Sequence, residues 1–229
     1  MKRRELLGGV GLLLAGCRSM DQGAVDSGGS STAVIRNARR FGLLETRREE
    51  PRILVRLRYA GRQNLTGRPL YPANMPCLIH RDTLARLKRV ADKLEAAGMR
   101  LVIWDAYRPP EAQTVLWQRV GNEDYVHRPG KDGRWSWHCY GRAVDVTLAD
   151  ATGKLLAMPS DLDDFSAAAR VPYAGNDPAV AQRLELLRIA MLTYGMQPIS
   201  EEWWHFHDPV SPAPAQPVRA SDIGLIIPA

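Results

Sequence analysis

Residues 143–148, Ala-Val-Asp-Val-Thr-Leu, alternate as a strand does, and the third of them is a carboxylate. Val144, Val146 and Leu148 share one face, and Ala143, Asp145 and Thr147 share the other. A charge between apolar neighbours is costly to bury without a partner. The chain must therefore leave this strand at an edge, with Asp145 in solvent, or fold so that something positive meets Asp145. Seven residues earlier stands His138, one of five histidines in 229 residues, and Gly141 between them lets the chain turn.

The surrounding pattern describes a single α+β domain. A hydrophobic content of 45% over this length is enough for one packed core. Residues 53–59 alternate like a strand, and 64–76 are rich in turn formers. Leu84, Leu87, Val90, Ala91 and Leu94 recur at helical spacing over Asp82–Ala97, with Gly98 as a stop. Residues 101–107 form a short apolar strand ended by Arg108-Pro109-Pro110, and a second helix follows from Glu111 to Val120. A polar loop occupies 121–136, and residues 149–178 are irregular and acidic. A third amphipathic stretch, 180–195, also ends in glycine, and residues 196–207 read as a strand with an aromatic end. The tail from Asp208 is proline-rich. No repeat, βαβ rhythm or phosphate-binding glycine loop is present, so a small antiparallel sheet with helices packed around it fits best.

Residues 1–16 stand apart from that domain. A basic start (Lys2, Arg3, Arg4), an apolar run of about ten residues and Leu14-Ala15-Gly16-Cys17 form an export signal too short to span a bilayer. Its end resembles a bacterial lipobox, with Cys17 as the lipidation site, and its paired arginines resemble a twin-arginine leader. Residues 17–33 then read as a lipidated N-terminus and flexible tether, and 34–229 as the folded domain with its tail. The expected location is the periplasmic face of a membrane, the outer one because Arg18 follows Cys17.

The net charge is +6, and removing residues 1–16, with three basic groups and one acid, leaves +4. The basic residues are scattered without interleaved aromatics, which argues against a nucleic-acid partner and suits an anionic envelope. Apart from Cys17, Cys77 and Cys139 could pair in an oxidising compartment or remain two buried thiols. Cys139 is a poor metal ligand, being adjacent to His138 and outside any CxxC pattern.

A zinc hydrolase needs three N or O ligands, an open position for water and a nearby carboxylate. His138, Asp145 and His205 can supply the ligands, and Glu202 lies beside His205. Trp203 and Trp204 would wall the site from solvent. Arg108 is a permanently charged donor at a strand end, held by two prolines. His80 precedes a helix, His127 sits in the polar loop, and His207 shares strand parity with His205.

Together these residues form Ser136-x-His138-x-x-Gly141-x-Ala143-x-Asp145 followed by Glu202-x-x-His205. That pattern resembles the signature of the zinc D-Ala-D-Ala dipeptidases, a group that includes the vancomycin-resistance dipeptidases and is related to the zinc D,D-carboxypeptidases. Leu57-Arg58-Tyr59-Ala60 with Asn64–Leu70 resembles the family's N-terminal block, and Trp104–Pro109 resembles its arginine-bearing block. Met158–Asp163 resembles its substrate loop, with proline where glycine is common. The resemblance implies one zinc ion per chain on His138, Asp145 and His205, Glu202 as general base, and Arg108 as oxyanion stabiliser. It also implies Asp163 against the ammonium group of a small dipeptide substrate, with Ser136 as a further contact.

The rivals are a D,D-carboxypeptidase or endopeptidase acting on peptidoglycan stems, and a metal-free wall-binding lipoprotein. Related carboxypeptidases carry Glu-Pro-Trp-His where this chain has Glu202-Trp203-Trp204-His205. One point divides physics from resemblance. A strand starting at Glu201 would turn Glu201, Trp203 and His205 to one face, whereas the family pattern selects Glu202.

Overall fold

The computed structural model describes residues 27–209 and 216–228. The expected leader and Cys17 lie outside these residues. Among the described residues no helix is long and apolar enough to cross a membrane. The helices are α1 (Ser27–Arg40), α2 (Thr46–Glu49), α3 (Arg81–Glu95), α4 (Pro110–Val120), α5 (Pro178–Thr193) and α6 (Ala220–Ile223). The strands are β1 (Leu43–Glu45), β2 (Leu54–Val55), β3 (Leu78–His80), β4 (Met99–Asp105), β5 (Ala143–Asp150), β6 (Gln197–Pro198) and β7 (His205–His207).

The architecture is the expected α+β domain. A five-stranded sheet runs β2-β4-β5-β7-β6, antiparallel except where β2 lies parallel to β4, and β1 pairs with β3 in a separate ribbon. The periodic positions of α3 (Leu84, Leu87, Val90, Leu94) meet Leu184, Leu187 and Met191 of α5 and the inward face of β4 and β5 in one core. A second cluster gathers α1, α4 and α6 with Tyr59, Tyr71 and Tyr107. The chain stops where its glycines allow: Gly98 and Gly195 both take positive φ just beyond α3 and α5.

β5 decides the question raised by Asp145. It is the middle strand of the sheet, and all but its last residue are buried. The edge-strand alternative therefore does not hold. Its ladder with β4 runs regularly from Met99↔Asp150 to Ile103↔Val146, then shifts so that Asp105 stands opposite Asp145. Such an irregularity re-aims side chains at the end of a strand. On the other side β5 meets β7 over three pairs, of which Asp145↔His205 is the last.

Three expectations need correction, and one open alternative is decided. Residues 53–59 form a strand only at Leu54–Val55 and then a 3-10 turn at Arg58–Ala60. That turn buries Tyr59, whose carbonyl accepts from the Leu70 and Tyr71 amides, and those non-local bonds outweigh local alternation. The tether, expected to reach Ala33, gives way to α1 at Ser27, which buries Val34 and Ala38 in the second cluster. Packing overrides the low helix propensity of its Gly-Ser start. The expected strand at 196–207 is two short strands, β6 and β7, separated by a turn. Of the two cysteine readings, the thiol one holds: Cys77 and Cys139 are free and buried, and burial pushes each up to about 12.

Gly141 closes the turn between His138 and β5. Its φ is +65°, and a Cβ there would stand 2.5 Å from Leu43 Cδ2 and 3.1 Å from the His80 amide nitrogen. Gly141→Ala should therefore destabilise the domain by about 2–4 kcal/mol, from left-handed strain plus overpacking. Urea denaturation measures this directly, and a loss under 1 kcal/mol would mean that β1 and β3 yield easily here.

Candidate active site

Four chain segments converge at the end of the sheet where β4, β5 and β7 meet. His138 lies in a 3-10 turn, Trp137–Tyr140, whose first amides are capped by Ser136: the hydroxyl accepts from the His138 N–H at 3.3 Å. The same turn is laced to the end of β4. The His138 ring Nδ1 donates to the Ala106 carbonyl at 2.8 Å, and the Arg108 amide donates to the His138 carbonyl at 3.1 Å. A carbonyl can only accept, so Nδ1 carries a proton, and when that is the ring's one proton Nε2 presents a lone pair.

That lone pair points at two others. His138 Nε2 is 3.3 Å from Asp145 Oδ1 and 3.3 Å from His205 Nδ1, and His205 Nδ1 is 3.1 Å from Asp145 Oδ1. His138 and Asp145 are buried and His205 is 9% exposed. Burial alone would raise the Asp145 carboxyl, but the charge and hydrogen bonds of the two imidazoles, when they carry the proton shared within the cluster, outweigh it and hold Asp145 well below the usual carboxylate range. His205 is pushed down, first by burial. Three electron-pair donors facing one point are mutually favourable only around a positive charge. Two imidazoles and a carboxylate within 4.8 Å of one another are a donor set that suits zinc, and this is the three-residue cluster able to hold a metal among the described residues.

Arg108 is held beside this cluster by residues that sequence reasoning did not single out. Its Nε and Nη2 donate to Asp105 Oδ2 at 2.9 and 2.7 Å, and Nη1 donates to Gln113 Oε1 at 3.0 Å. Tyr71 donates its hydroxyl to the other Asp105 oxygen at 2.7 Å, and the guanidinium lies 4.9 Å from the centre of the Tyr59 ring. Nη2 remains 3.6 Å from Asp145 Oδ2. Gln113 also donates to the His127 carbonyl at 2.7 Å, which ties loop 121–136 to the arginine. A signal of the kind that marks Asp145, a carboxylate amid apolar strand residues, is present at Asp105, which ends the apolar run of β4 and precedes Ala106.

Glu201 and Glu202 both line this cavity, and the strand-parity argument for Glu201 fails because of where the strand begins. β7 starts only at His205, so the chain is still turning through 200–204 and strand parity does not apply. Glu202 curls back with Oε2 at 3.9 Å from His205 Nδ1. Burial, followed by the charges of Asp145 and Asp163, pushes its carboxyl up to about 8. Glu201 is exposed, and the Ser200 hydroxyl donates to it at 2.8 Å and lowers it.

Asp163 arrives on the irregular segment after β5, in a left-handed conformation with φ 62°. Oδ2 accepts from the Leu65 amide at 2.8 Å and Oδ1 from the Tyr59 hydroxyl at 3.1 Å. Burial pushes it up to about 6. Its acidic neighbours do other things: Asp161 pairs with Arg58, and Asp164 accepts from the Ser166 amide. Arg108, Asp145, His138, His205, Glu202, Asp163 and Ser136 all line one cavity of about 820 Å³. Trp204 walls it, whereas Trp203 turns into the core against Trp104 and donates to the Ser160 hydroxyl.

The other histidines stand outside the ligand cluster. His80, which precedes α3 as expected, caps it by accepting from the Asp82 amide and is partly buried. His207 stacks on Trp137 at 5.9 Å, its ring 5.7 Å from that of His205, and burial takes it down to about 4.

A cleft with a candidate metal cluster, a raised carboxyl and a fixed arginine is the equipment of a hydrolase. Comparison with known proteins narrows that class. Residues 40–221 match the family model of peptidase M15, described as D-Ala-D-Ala dipeptidase, and the chain belongs to that family. It is 35% identical over 178 residues to the D-alanyl-D-alanine dipeptidase of Escherichia coli, an alignment covering 77% of this chain and 89% of that protein. The enzyme of the same name from Enterococcus faecalis is 30% identical over 166 residues, covering 65% of this chain and 82% of the relative. The chain is thus a peptidase of the dipeptidase type.

The Asp105–Arg108 pair yields a stability test. Asp105→Asn removes the main counter-charge of a buried guanidinium, which typically costs about 3–5 kcal/mol. Urea denaturation should register that loss. A change below 1 kcal/mol would mean that Asp145 and Tyr59 suffice to hold Arg108.

Proposed function

We propose that this protein hydrolyses the dipeptide D-Ala-D-Ala with the aid of one zinc ion held by His138, Asp145 and His205. The observation that carries this reading is the convergence, in one cavity, of those three donors with Glu202, Arg108 and Asp163. A zinc ion in that cluster supplies Lewis acidity at the peptide carbonyl and makes water more acidic.

The chain's own residues would divide the remaining work. Glu202 takes a proton from the attacking water on its carboxylate and returns it to the leaving amine. The carboxyl is raised by burial and by Asp145 and Asp163, and a cation in the cluster acts in the opposite direction, favouring the ionised base. Arg108, immobilised by Asp105 and Gln113, offers a preorganised positive charge to the oxygen that becomes negative during attack. Asp163 faces the same cavity with each oxygen bound to only one donor, which leaves acceptor capacity for the ammonium group of a free dipeptide. Ser136 serves chiefly by capping the turn that orients His138.

The second reading, a D,D-carboxypeptidase on longer stem peptides, uses the same hydrolytic groups and differs at Asp163. If Asp163 meets the substrate ammonium, N-acetyl-D-Ala-D-Ala should have a kcat/KM lower by a factor of a few hundred or more, because a buried charge loses its partner. Equal rates on the free and acetylated dipeptides would favour the carboxypeptidase.

The base assignment has its own test. Glu202→Gln should bind about one zinc per chain, as a three-ligand site implies, yet lose kcat by roughly 10²–10⁴. Glu201→Gln should leave both quantities near the parent values. Metal content and steady-state kinetics decide the matter, and the reverse pattern would move the base to Glu201.

A further inference from the structure

His205 meets Asp145 through a ladder of three pairs, Ala143↔His207, Val144↔Phe206 and Asp145↔His205. So short a ladder must still be placed without error. A slip of one residue would carry the His205 imidazole to the opposite face of the sheet. A slip of two would keep the face but set His207, a second imidazole, opposite Asp145. On its other side β7 meets β6 over two pairs, which adds little constraint.

The constraint stands just outside the ladder. Arg142 and Asp208 are the next residues along the two chains in the same register. The Asp208 amide donates to the Arg142 carbonyl at 2.7 Å, and Arg142 Nη1 donates to Asp208 Oδ2 at 2.8 Å. Asp208 is fully buried and Arg142 is 7% exposed. Both are fastened to the start of α3. The Thr83 hydroxyl donates to Asp208 Oδ2 at 2.8 Å, Arg86 Nε stands 3.2 Å from Asp208 Oδ1, and Arg142 Nη2 donates to Asp82 Oδ2 at 3.0 Å. The Arg142 amide donates to the Trp137 carbonyl at 3.0 Å, so the same arginine also holds the turn that carries His138. One ion pair therefore joins the roots of the three segments that bear His138, Asp145 and His205.

We propose that the Arg142–Asp208 pair is a register lock, which holds β7 where His205 and not His207 faces Asp145 and His138. A slip of two residues would draw Asp208 about 7 Å along the strand from Arg142 and leave a buried carboxylate without that partner. A buried ion pair adds little net stability over apolar packing but is costly to break from one side, which suits it to fixing register. Neither residue lines the cavity, so both are positioning residues. The inference rests on the metal reading above and adds the pair that places its third donor.

The test is the zinc affinity of the purified metal-free protein, measured against a competing chelator. Asp208→Asn and the double variant Arg142→Gln/Asp208→Asn should each raise the Kd for zinc at least about tenfold, the usual effect of losing a group that orients a ligand from behind. The double variant leaves neither partner of the pair charged, so it serves if the single variant fails to fold, and a thermal melt on each verifies folding. Leu94→Ala is the control for loosening alone. Leu94 is fully buried in the main core but lies about 16 Å along α3 from Thr83. Its truncation should lower stability and keep the zinc Kd within about twofold of the parent value. A folded double variant whose Kd stays within about twofold of the parent, or an equal rise in Leu94→Ala, would overturn the inference while leaving the metal reading in place. A parent protein that takes up no zinc would overturn the two together.

Discussion

The negative charge of Asp145 in the middle of the sheet is the constraint on which the rest of the structure depends. It sits on the central strand with buried residues on both sides, where an isolated carboxylate would be forced to take up a proton. The fold compensates it by bringing the Arg108 guanidinium to 3.6 Å and His138 and His205 within 3.3 Å, where a shared proton or a metal ion can sit between the three donors. Each of those groups comes from a different segment. A turn closed by Gly141 brings His138, the three-pair β5–β7 ladder brings His205, and the end of β4 brings Arg108. Local geometry that looks independent in each segment is thus subordinate to one buried charge.

Arg108 shows the same economy from the opposite sign. A guanidinium this buried needs an anion and further acceptors, and Asp105 and Gln113 provide them. Asp105 is fully buried and stands opposite Asp145 only because the β4–β5 ladder shifts after Ile103. Two carboxylates and one arginine therefore share the strand ends with two imidazoles. The cluster still has lone pairs left over and could hold a cation, which a closed salt-bridge network could not. Gln113 extends this order outward to the His127 carbonyl, so the loop that carries Tyr125 is tied to the arginine beneath it.

The site is consequently built from strands and a short turn below and from loops above. The strands and the turn supply the cluster of His138, Asp145 and His205 and the anchorage of Arg108, while two loops supply part of the cavity wall. Rigid elements position groups well, and loops vary without disturbing the core. Asp163 joins the two regimes. It is on a loop, but its carboxylate is pinned by Tyr59 and the Leu65 amide from the N-terminal part of the chain.

The sequence by itself determined the elements whose pattern is local and repeated. α3 and α5 follow from apolar residues at helical spacing and β5 from strict alternation, because a continuous face must be buried whatever it meets. The spacing of His138, Gly141, Asp145, Glu202 and His205 likewise carried the candidate site, since it reflects ligand chemistry and one glycine turn. Only the tertiary structure decided what depends on distant partners. That Glu202 curls back toward His205 while Glu201 stays exposed turned on β7 beginning at His205, not earlier. The importance of Asp105 turned on a ladder irregularity and on Arg108, Tyr71 and Gln113 closing around it. The short β1–β3 pair, the helical start at Ser27 and the Tyr125–Phe165 stack have no periodic signature, because each is stabilised by contacts with residues far away in the chain. Periodicity records which face a segment buries. It does not record which segment arrives to cover that face, and at this site the arriving segments make the chemistry.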